Sequence, residues 1–137
     1  MWLHNNKKFT PDDVADHWGF VYLITNLETS RKYIGKKQFY FQKTRQINKK
    51  KKKFLVDSDW EMYYGSNNEL QEDVKKLGSE KFKREILYLC DSKSECSYLE
   101  AFEQFRRHAI IRDDYYNGWL SVRVRKNSKL DKIMEHT

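Results

Sequence analysis

GFVYLIT at residues 19–25, followed by YIG at residues 33–35, sets the architecture of this chain. Both runs are rich in β-branched and aromatic side chains, which favour strands, and the polar residues 26–32 between them allow one turn. We therefore predict a β-hairpin that turns near residues 27–30. Gly35 lies inside the second strand pattern, which indicates a bend or a close approach of another group to the backbone.

The first helix signal lies after residue 65. Ser66 and Glu69 have the spacing of a capping box, and apolar residues then recur at helical spacing. Gly78 supplies a C-terminal stop. These features predict a helix over residues 67–77.

The C-terminal half of the chain predicts a strand, a long helix and a short strand. Residues 82–90 end in a dense apolar run, which is typical of a central strand. A second capping box begins at Ser92, and we expect its helix to continue to about residue 111. Residues 115–119 favour a short final strand. The predicted fold class is α+β, a small domain with a three-stranded antiparallel sheet flanked by helices.

The length of 137 residues fits one domain. We expect residues 1–18 to form a polar, irregular leader with a single turn, and residues 19–122 to form the folded domain. Residues 43–57 are predicted as a basic loop within that domain, and residues 123–137 as a polar and basic tail. An aromatic content of 15% supplies large side chains for a core, so the composition argues against a disordered chain.

The positive charge is concentrated in one segment. The chain has 27 Lys and Arg against 20 Asp and Glu, for a formal charge of +7. Residues 31–53 contain 11 of the basic residues and no acidic ones, so the rest of the chain has 16 basic against 20 acidic residues. Five consecutive lysines repel one another and cannot all be buried, which predicts a mobile loop.

Two interpretations of this basic segment are open. It is either a solvated loop that confers solubility or an arm that contacts nucleic-acid phosphates. Aromatic residues at 33 and 39–41 are interleaved with the cations and favour the arm, whereas a membrane surface would need an apolar face that the lysine run lacks. We predict nucleic-acid contacts at Lys36, Lys43, Lys49, Lys50, Lys51, Lys52 and Lys53.

Other classes of protein are disfavoured. No run approaches the roughly 18 apolar residues of a membrane helix, and residues 1–8 lack the apolar region of a secretory signal, so we expect an intracellular, cytoplasmic protein. Cys90 and Cys96 match no common zinc pattern and are predicted to be reduced and structural. The 4 histidines are scattered, which argues against a histidine-based metal site.

The two hairpin motifs resemble the paired signature of GIY-YIG nucleases. Residues 19–22 match the first motif with Val in its second position and an inserted Phe20, and residues 33–35 match the second. The turn at residues 78–82, the strand that follows it, and Glu100 and Asn117 after it recur in the order of that family's core. The resemblance covers about residues 19–119 and is greatest to small free-standing GIY-YIG proteins of tailed phages.

This resemblance implies a metal-dependent endonuclease that hydrolyses phosphodiester bonds in double-stranded DNA. Such hydrolysis needs an activated water, a cation for the charge on the phosphoryl oxygens, and help for the leaving oxygen. Mg²⁺ is the expected cofactor, with Mn²⁺ as an alternative. The implied catalytic residues are Tyr22, Tyr33, Lys37, Arg45, Tyr64, Glu100 and Asn117.

Glu100 is the expected metal ligand, because a carboxylate on a rigid helix can hold one Mg²⁺. Its competitor is Glu103, which lies one turn later on the same predicted helix. Arg107 follows Glu103 at the spacing of a helical salt bridge, which offers that carboxylate a structural role. The resemblance favours Glu100.

Tyr22 would position or deprotonate the attacking water. An unperturbed phenol has a pKa of about 10, so Lys36, Lys37 and the metal would have to stabilise its anion. Tyr33 would bind a phosphate oxygen or the same water. Asn117 either orients the metal or the phosphate, or is a turn-forming residue.

The cationic role departs from the family pattern. Many members place an arginine on a helix after the second tyrosine, where this chain has Lys43 in a stretch without helical periodicity. Lys37 and Arg45 are the candidates for that role. The His or Tyr that usually follows would correspond to Tyr63 or Tyr64, and Tyr64 is the nearer match.

Three hypotheses therefore stand. A nuclease comes first, a catalytically inactive nucleic-acid-binding protein on the same scaffold is its alternative, and a basic partner of an acidic protein is the third. Homing, restriction-like and DNA-degrading roles stay open, as does action as a monomer or as a transient dimer on DNA. Phage origin, with location in the host cytoplasm, is implied by the resemblance alone.

Overall fold

The computed structural model describes residues 1–120 and 126–135. Over these residues the chain forms seven strands, three α-helices and short 3₁₀ turns. The strands are β1 (Trp2–His4), β2 (Lys7–Phe9), β3 (Gly19–Asn26), β4 (Lys32–Gln38), β5 (Tyr40–Ile47), β6 (Lys50–Asp57) and β7 (Phe82–Cys90). The helices are α1 (Asn68–Leu77), α2 (Lys93–Arg106) and α3 (Leu130–Glu135).

The main sheet has five strands in the order β2-β1-β7-β3-β4. β3 is antiparallel to both β4 and β7, whereas β1 is parallel to β7. The predicted α+β class is confirmed, and the predicted hairpin is β3 with β4. The expected three-stranded antiparallel sheet was too small, because β1 and β2 extend it beyond β7 and make it mixed.

The prediction of an irregular leader over residues 1–18 was wrong. Residues 2–9 form a β-hairpin that joins the main sheet, and only the 3₁₀ turn at Pro11–Asp13 matches the expectation. Trp2 is 2% exposed and donates a hydrogen bond from Nε1 to the Trp60 carbonyl at 2.8 Å. A large aromatic side chain that reaches the core anchors this otherwise polar segment.

The prediction of a mobile basic loop over residues 43–57 was also wrong. β5 and β6 pair along their full length as a separate two-stranded antiparallel ribbon. Asn48 and Lys49 form its two-residue turn with φ of 50° and 64°, the left-handed backbone that a tight hairpin turn requires. Successive side chains of a strand point to opposite sides, so pairing separates neighbouring lysines without burying them.

The helix α1 and the strand β7 lie where the sequence predicts them. The cap of α1 is Asn67, whose Oδ1 accepts a hydrogen bond from the backbone at 2.9 Å, and Ser66 is not the cap. Gly78 ends α1 with φ of 94°. α2 begins after its Ser92 cap but ends at Arg106, short of the predicted end near residue 111.

The segment after α2 differs from the prediction. Residues 115–119 form no strand, and a single β-bridge between Lys32 and Tyr115 attaches this segment to β4. Within the predicted tail, α3 packs Leu130 into the core, while residues 123–125 and 136–137 lie outside the described residues. No helix in the described part of the chain is long and apolar enough to cross a membrane.

The two faces of the main sheet support separate cores. Residues 20, 22 and 24 of β3 point into an aromatic cluster that includes Trp2, Trp60 and Leu70 of α1. Residues 21 and 23 point to the other side, into a cluster with α2 and α3. β4 is an edge strand of the main sheet, so side chains from both layers can meet around it.

Candidate active site

A cleft of about 470 Å³ opens beside β4 and is lined from both layers. It brings together five residues that the sequence singled out: Tyr22, Tyr33, Lys36, Glu100 and Asn117. The other lining residues are Ser66, Asn67, Gln104, Gly118 and Trp119. A larger cavity of about 680 Å³ near β1 and α3 is lined by none of the predicted site residues.

Tyr22 reaches the cleft across Gly35. The two residues face each other in the register of β3 and β4, and a Cβ on residue 35 would lie 2.3 Å from the Tyr22 hydroxyl. A side chain at position 35 would therefore displace the phenol. This close approach explains the glycine inside a strand pattern.

The Tyr22 phenol is buried among other aromatic rings. The ring centroids of Tyr33 and Tyr63 lie 6.1 and 6.0 Å from its own. Burial raises the pKa of Tyr22 well above its ordinary value of 10.0, and Tyr33, Tyr63 and the Glu100 carboxylate act in the same direction. The phenol is therefore neutral in the protein without bound ions, and its hydroxyl can donate a hydrogen bond.

Tyr33 is the second cleft tyrosine and pairs with Ser66. Its hydroxyl lies 3.2 Å from Ser66 Oγ, and either atom can be the donor. Burial raises the pKa of Tyr33, although the hydrogen bond with Ser66 acts in the opposite direction. Because Asn67 caps α1, the Ser66 hydroxyl is left for this contact.

Glu100 projects from α2 towards β4, and its side chain is 17% exposed. Lys36 Nζ lies 3.9 Å from Glu100 Oε1 and donates a 2.7 Å hydrogen bond to Ser97 Oγ. Burial raises the pKa of Glu100, against the charge of Lys36 and a hydrogen bond from the Lys36 backbone. The carboxylate is thus a largely buried acid whose ionised form would gain from a nearby cation.

Glu103, the competing carboxylate, does not line the cleft. It is 2% exposed and accepts hydrogen bonds from Tyr88, Arg106 and Arg107. Burial would raise the pKa of Glu103, but these hydrogen bonds, above all that of Arg107, hold it below the ordinary value. Its partners therefore give Glu103 a structural role, and Glu100 is the glutamate that faces the cleft.

The donor set suits a cation with one protein ligand. Within residues 1–120 and 126–135, no group of three or more His, Cys, Asp or Glu side chains comes together as a metal site. Mg²⁺ prefers oxygen ligands and keeps several waters. A single carboxylate, Glu100, fits such an ion when water and substrate oxygens complete its coordination shell.

Asn117 is committed to the backbone of β4. Its Nδ2 donates to the Ile34 carbonyl at 2.8 Å, and its Oδ1 accepts from the Ile34 amide at 3.1 Å. Gln104 Nε2 donates to the same carbonyl at 3.2 Å. The Asn117 side chain thus pairs with the edge strand as a neighbouring strand would. The two alternatives predicted for Asn117, orientation of the metal or the phosphate and formation of a turn, stay predictions.

Lys37, a predicted catalytic cation, does not line the cleft. Its Nζ forms an ion pair with Asp59 Oδ1 at 2.6 Å and lies 4.1 Å from the centroid of the Tyr63 ring. The hydrogen bond from Lys37 holds the pKa of Asp59 below its ordinary value. Lys37 is therefore already paired. It contacts the Tyr63 ring, which in turn contacts the Tyr22 ring.

Tyr64 also lies outside the cleft. Its ring stacks on Arg84, with the guanidinium carbon 4.2 Å from the ring centroid. Tyr63, which the sequence ranked second for this position, is the residue that contacts Tyr22. Neighbouring residues in extended backbone point to opposite sides, which explains why only one of the two reaches the site.

The remaining predicted cations lie on the ribbon. Arg45 and Lys43 belong to β5, Lys49 is in the turn and Lys50–Lys53 belong to β6; none of them lines the cleft. Among the described residues that line it, Lys36 is the sole cation.

Four residues near the site were missed or assigned another role. Ser66 was interpreted as a cap, and Tyr63 was ranked below Tyr64. Gln104 follows Glu103 on α2 without any local signal of its own. Trp119 lies in a predicted strand, where an aromatic residue suggests core packing, yet it is 76% exposed at the cleft.

Comparison with models of known protein families gives a match over most of the chain. The family model described as "Putative endonuclease segE, GIY-YIG domain" matches residues 2–120. The match begins before the hairpin motifs, so it includes β1 and β2, and it takes in every residue that lines the cleft. Searches among curated proteins and among solved structures found no match. Because the match spans most of the chain, this chain belongs to the GIY-YIG nuclease family and carries a GIY-YIG domain of the SegE type.

Proposed function

We propose that this chain is a metal-dependent endonuclease that hydrolyses phosphodiester bonds in double-stranded DNA. The observation that carries the proposal is one cleft, on a GIY-YIG domain, that holds the Glu100 carboxylate with the phenols of Tyr22 and Tyr33. The 11 basic residues between positions 31 and 53 support a polyanionic substrate.

Glu100 would hold the metal ion, with Mg²⁺ as the first choice and Mn²⁺ as the alternative. When bound, the ion supplies charge stabilisation at the phosphoryl oxygens and lowers the pKa of a coordinated water. Glu100 is suited to this role because it sits on a packed helix that limits its movement. Metal binding requires the carboxylate form, so protons compete for the site at low pH.

Tyr22 would position the attacking water. Since burial keeps the phenol neutral, we assign it the positioning role and not the role of a base. Tyr33 would donate a hydrogen bond to a phosphate oxygen, in place of its contact with Ser66. Phenols suit both tasks because their hydroxyls can donate and accept hydrogen bonds.

Lys36 would take the cationic role that the sequence offered to Lys37 or Arg45. It lines the cleft and contacts Glu100, whereas Lys37 is paired with Asp59 and Arg45 lies on the ribbon. A positive charge here would attract the scissile phosphate and stabilise the charge that develops on it.

The test is the cleavage of supercoiled plasmid in Mg²⁺, Mn²⁺ or EDTA. We expect nicking in either metal and none in EDTA. Glu100→Ala should abolish nicking while gel-shift binding in EDTA is retained, and Tyr22→Phe should slow it about 10²-fold, the loss expected when a reacting group is misplaced by about 1 Å. Glu72→Ala, which removes an exposed glutamate on α1, is the matched control and should cut like the unaltered protein.

Other outcomes would point elsewhere. DNA that is retarded but intact in every lane would support the catalytically inactive DNA-binding protein, which the lack of an arginine among the described cleft residues favours. Full nicking by Glu100→Ala would remove Glu100 as the metal ligand. A phage role and the choice among homing, restriction-like and DNA-degrading roles rest on the resemblance and stay predictions, and the intracellular location expected from the sequence stays a prediction as well.

A further inference from the structure

The ribbon of β5 and β6 has two faces. Every residue from 42 to 55 is exposed, so both faces meet solvent. Residues directly opposite each other in an antiparallel pair share a face, and the register places Arg45 opposite Lys52 and Thr44 opposite Lys53. The Arg45 face therefore consists of residues 41, 43, 45, 47, 50, 52, 54 and 56, and the Thr44 face of residues 40, 42, 44, 46, 51, 53, 55 and 57.

The two faces differ in charge. The Arg45 face carries four positive charges and no negative one, from Lys43, Arg45, Lys50 and Lys52. The Thr44 face has one net positive charge, from Lys51, Lys53 and Asp57, and its other polar side chains are the uncharged Gln42, Thr44 and Gln46. This asymmetry is invisible in the sequence, where the lysines of residues 49–53 are consecutive.

The Arg45 face holds its cations in an unfavourable arrangement. Arg45 lies directly opposite Lys52, and like charges in that position destabilise a strand pair. A two-stranded ribbon is also marginally stable by itself. Phe54 supports the arrangement, because the guanidinium carbon of Arg45 lies 5.7 Å from its ring centroid. An anion placed between the two cations would turn their repulsion into attraction.

The Arg45 face is continuous with the tyrosines of the candidate active site. Phe41, at its base, has its ring centroid 5.1 Å from Lys37 Nζ. The same Nζ lies 4.1 Å from the Tyr63 ring centroid, and that ring is 6.0 Å from the ring of Tyr22. A chain of touching side chains thus leads from this face of the ribbon to the cleft.

We propose that the Arg45 face is the surface of the ribbon that contacts the phosphate backbone of DNA, and that the Thr44 face points away from it. This inference rests on the proposed function, because it names the part of the ribbon that the DNA substrate would touch. Lys43, Arg45, Lys50 and Lys52 would then contact phosphates beyond those held in the cleft.

The test compares two double variants that each remove two positive charges. Arg45→Gln with Lys52→Gln alters the Arg45 face, and Lys51→Gln with Lys53→Gln alters the Thr44 face. Binding of a fluorescently labelled duplex is measured by anisotropy in EDTA over a series of salt concentrations. The plot of log K against log salt has a negative slope. We expect the magnitude of this slope to decrease by about 1.8 for the first pair, at about 0.9 per phosphate contact, and by less than about 0.5 for the second.

Each other outcome overturns the assignment. Equal decreases in the salt slope for the two pairs would mean that the ribbon binds DNA without a preferred face. A larger decrease for the second pair would assign the DNA contact to the Thr44 face. Circular dichroism spectra of both pairs should match that of the unaltered protein, so that a loss reports on contacts. Failure of the unaltered protein to bind DNA would overturn this inference together with the DNA substrate. Binding without nicking would remove only the nuclease activity.

Discussion

The phenol of Tyr22 covers the bare backbone of Gly35, so closely that a side-chain carbon on residue 35 would stand 2.3 Å from the Tyr22 hydroxyl. The first hairpin motif thus supplies the phenol, and the second supplies the space that the phenol needs. This relationship gives a physical reason for the two motifs to occur in one hairpin. It also places the Tyr22 hydroxyl at the edge of the sheet, beside Glu100 of the next layer.

Replacing Gly35 by Ala should therefore damage both stability and activity. The added methyl group must displace Tyr22, and we expect the free energy of unfolding to fall by about 1–3 kcal/mol, as for other overpacked sites. Nicking of plasmid should fall at least as far as in Tyr22→Phe. Gly118→Ala is the matched control in the same cleft, because a Cβ there meets nothing within 4 Å. Urea denaturation that showed equal stability for the two variants would contradict the close packing of Tyr22 on Gly35.

Replacing Glu100 by Gln should stabilise the metal-free protein at neutral pH. Burial raises the pKa of Glu100, so folding favours its neutral form. The wild-type carboxyl contributes its full stability below the ordinary pKa of 4.5 and loses it as the pH rises through the folded pKa. Glutamine is neutral at every pH, so the gain over the wild type should be largest near pH 7 and vanish in acid. Urea melts in EDTA across this range give the answer, and a variant less stable than wild type at neutral pH would refute it.

Replacing Glu103 by Gln should have the opposite effect, although the two residues are one turn apart. Hydrogen bonds, above all from Arg107, hold the pKa of Glu103 below the ordinary value of 4.5 despite its burial. Its ionised form therefore contributes stability above pH 4.5, and that stability is lost as the pH falls through the folded pKa. We expect Glu103→Gln to lower the free energy of unfolding by about 1.5–3 kcal/mol at pH 7, the range for hydrogen bonds to charged groups. The deficit should shrink in acid, and a deficit independent of pH would show that packing was the cause.

Trp119 should report on DNA in the cleft. It is 76% exposed, whereas Trp2 and Trp60 are 2% and 4% exposed and Trp18 is only partly exposed. Acrylamide should therefore quench mainly Trp119 in the free protein, and a bound duplex in EDTA should protect it. Trp119→Phe removes most of the accessible emission, leaves that of the partly exposed Trp18, and serves as the control. Quenching that DNA left unchanged would place the duplex away from this side of the cleft.

Local patterns were sufficient for several elements. The hairpin of β3 and β4, the helix α1 with its Gly78 stop, and the strand β7 were predicted from composition, spacing and caps that neighbouring residues define. The ribbon was missed for an equally physical reason. Consecutive lysines disfavour a buried strand, yet a two-stranded ribbon that protrudes into solvent leaves every one of them exposed.

The candidate active site likewise combines residues that the sequence predicted with contacts that it did not predict. Spacing and family resemblance selected Tyr22, Tyr33, Glu100 and Asn117, and all four line it. They did not show that both polar atoms of the Asn117 side chain bind Ile34, or that Lys37 is paired with Asp59. Those partners lie between 22 and 83 residues away along the chain, so no local pattern contains them.

By itself, the sequence determined the α+β class, the two hairpin motifs, the family and the concentration of charge between residues 31 and 53, because each depends on residue order alone. Only the tertiary structure decided that Tyr63 and not Tyr64 contacts Tyr22, that Lys37 is paired with Asp59, and which cations of the ribbon share a face. The physical reason is periodicity. Side chains alternate across a strand and rotate around a helix, so a shift of one residue sends a group to the opposite side, and only pairing and packing with distant segments set that register.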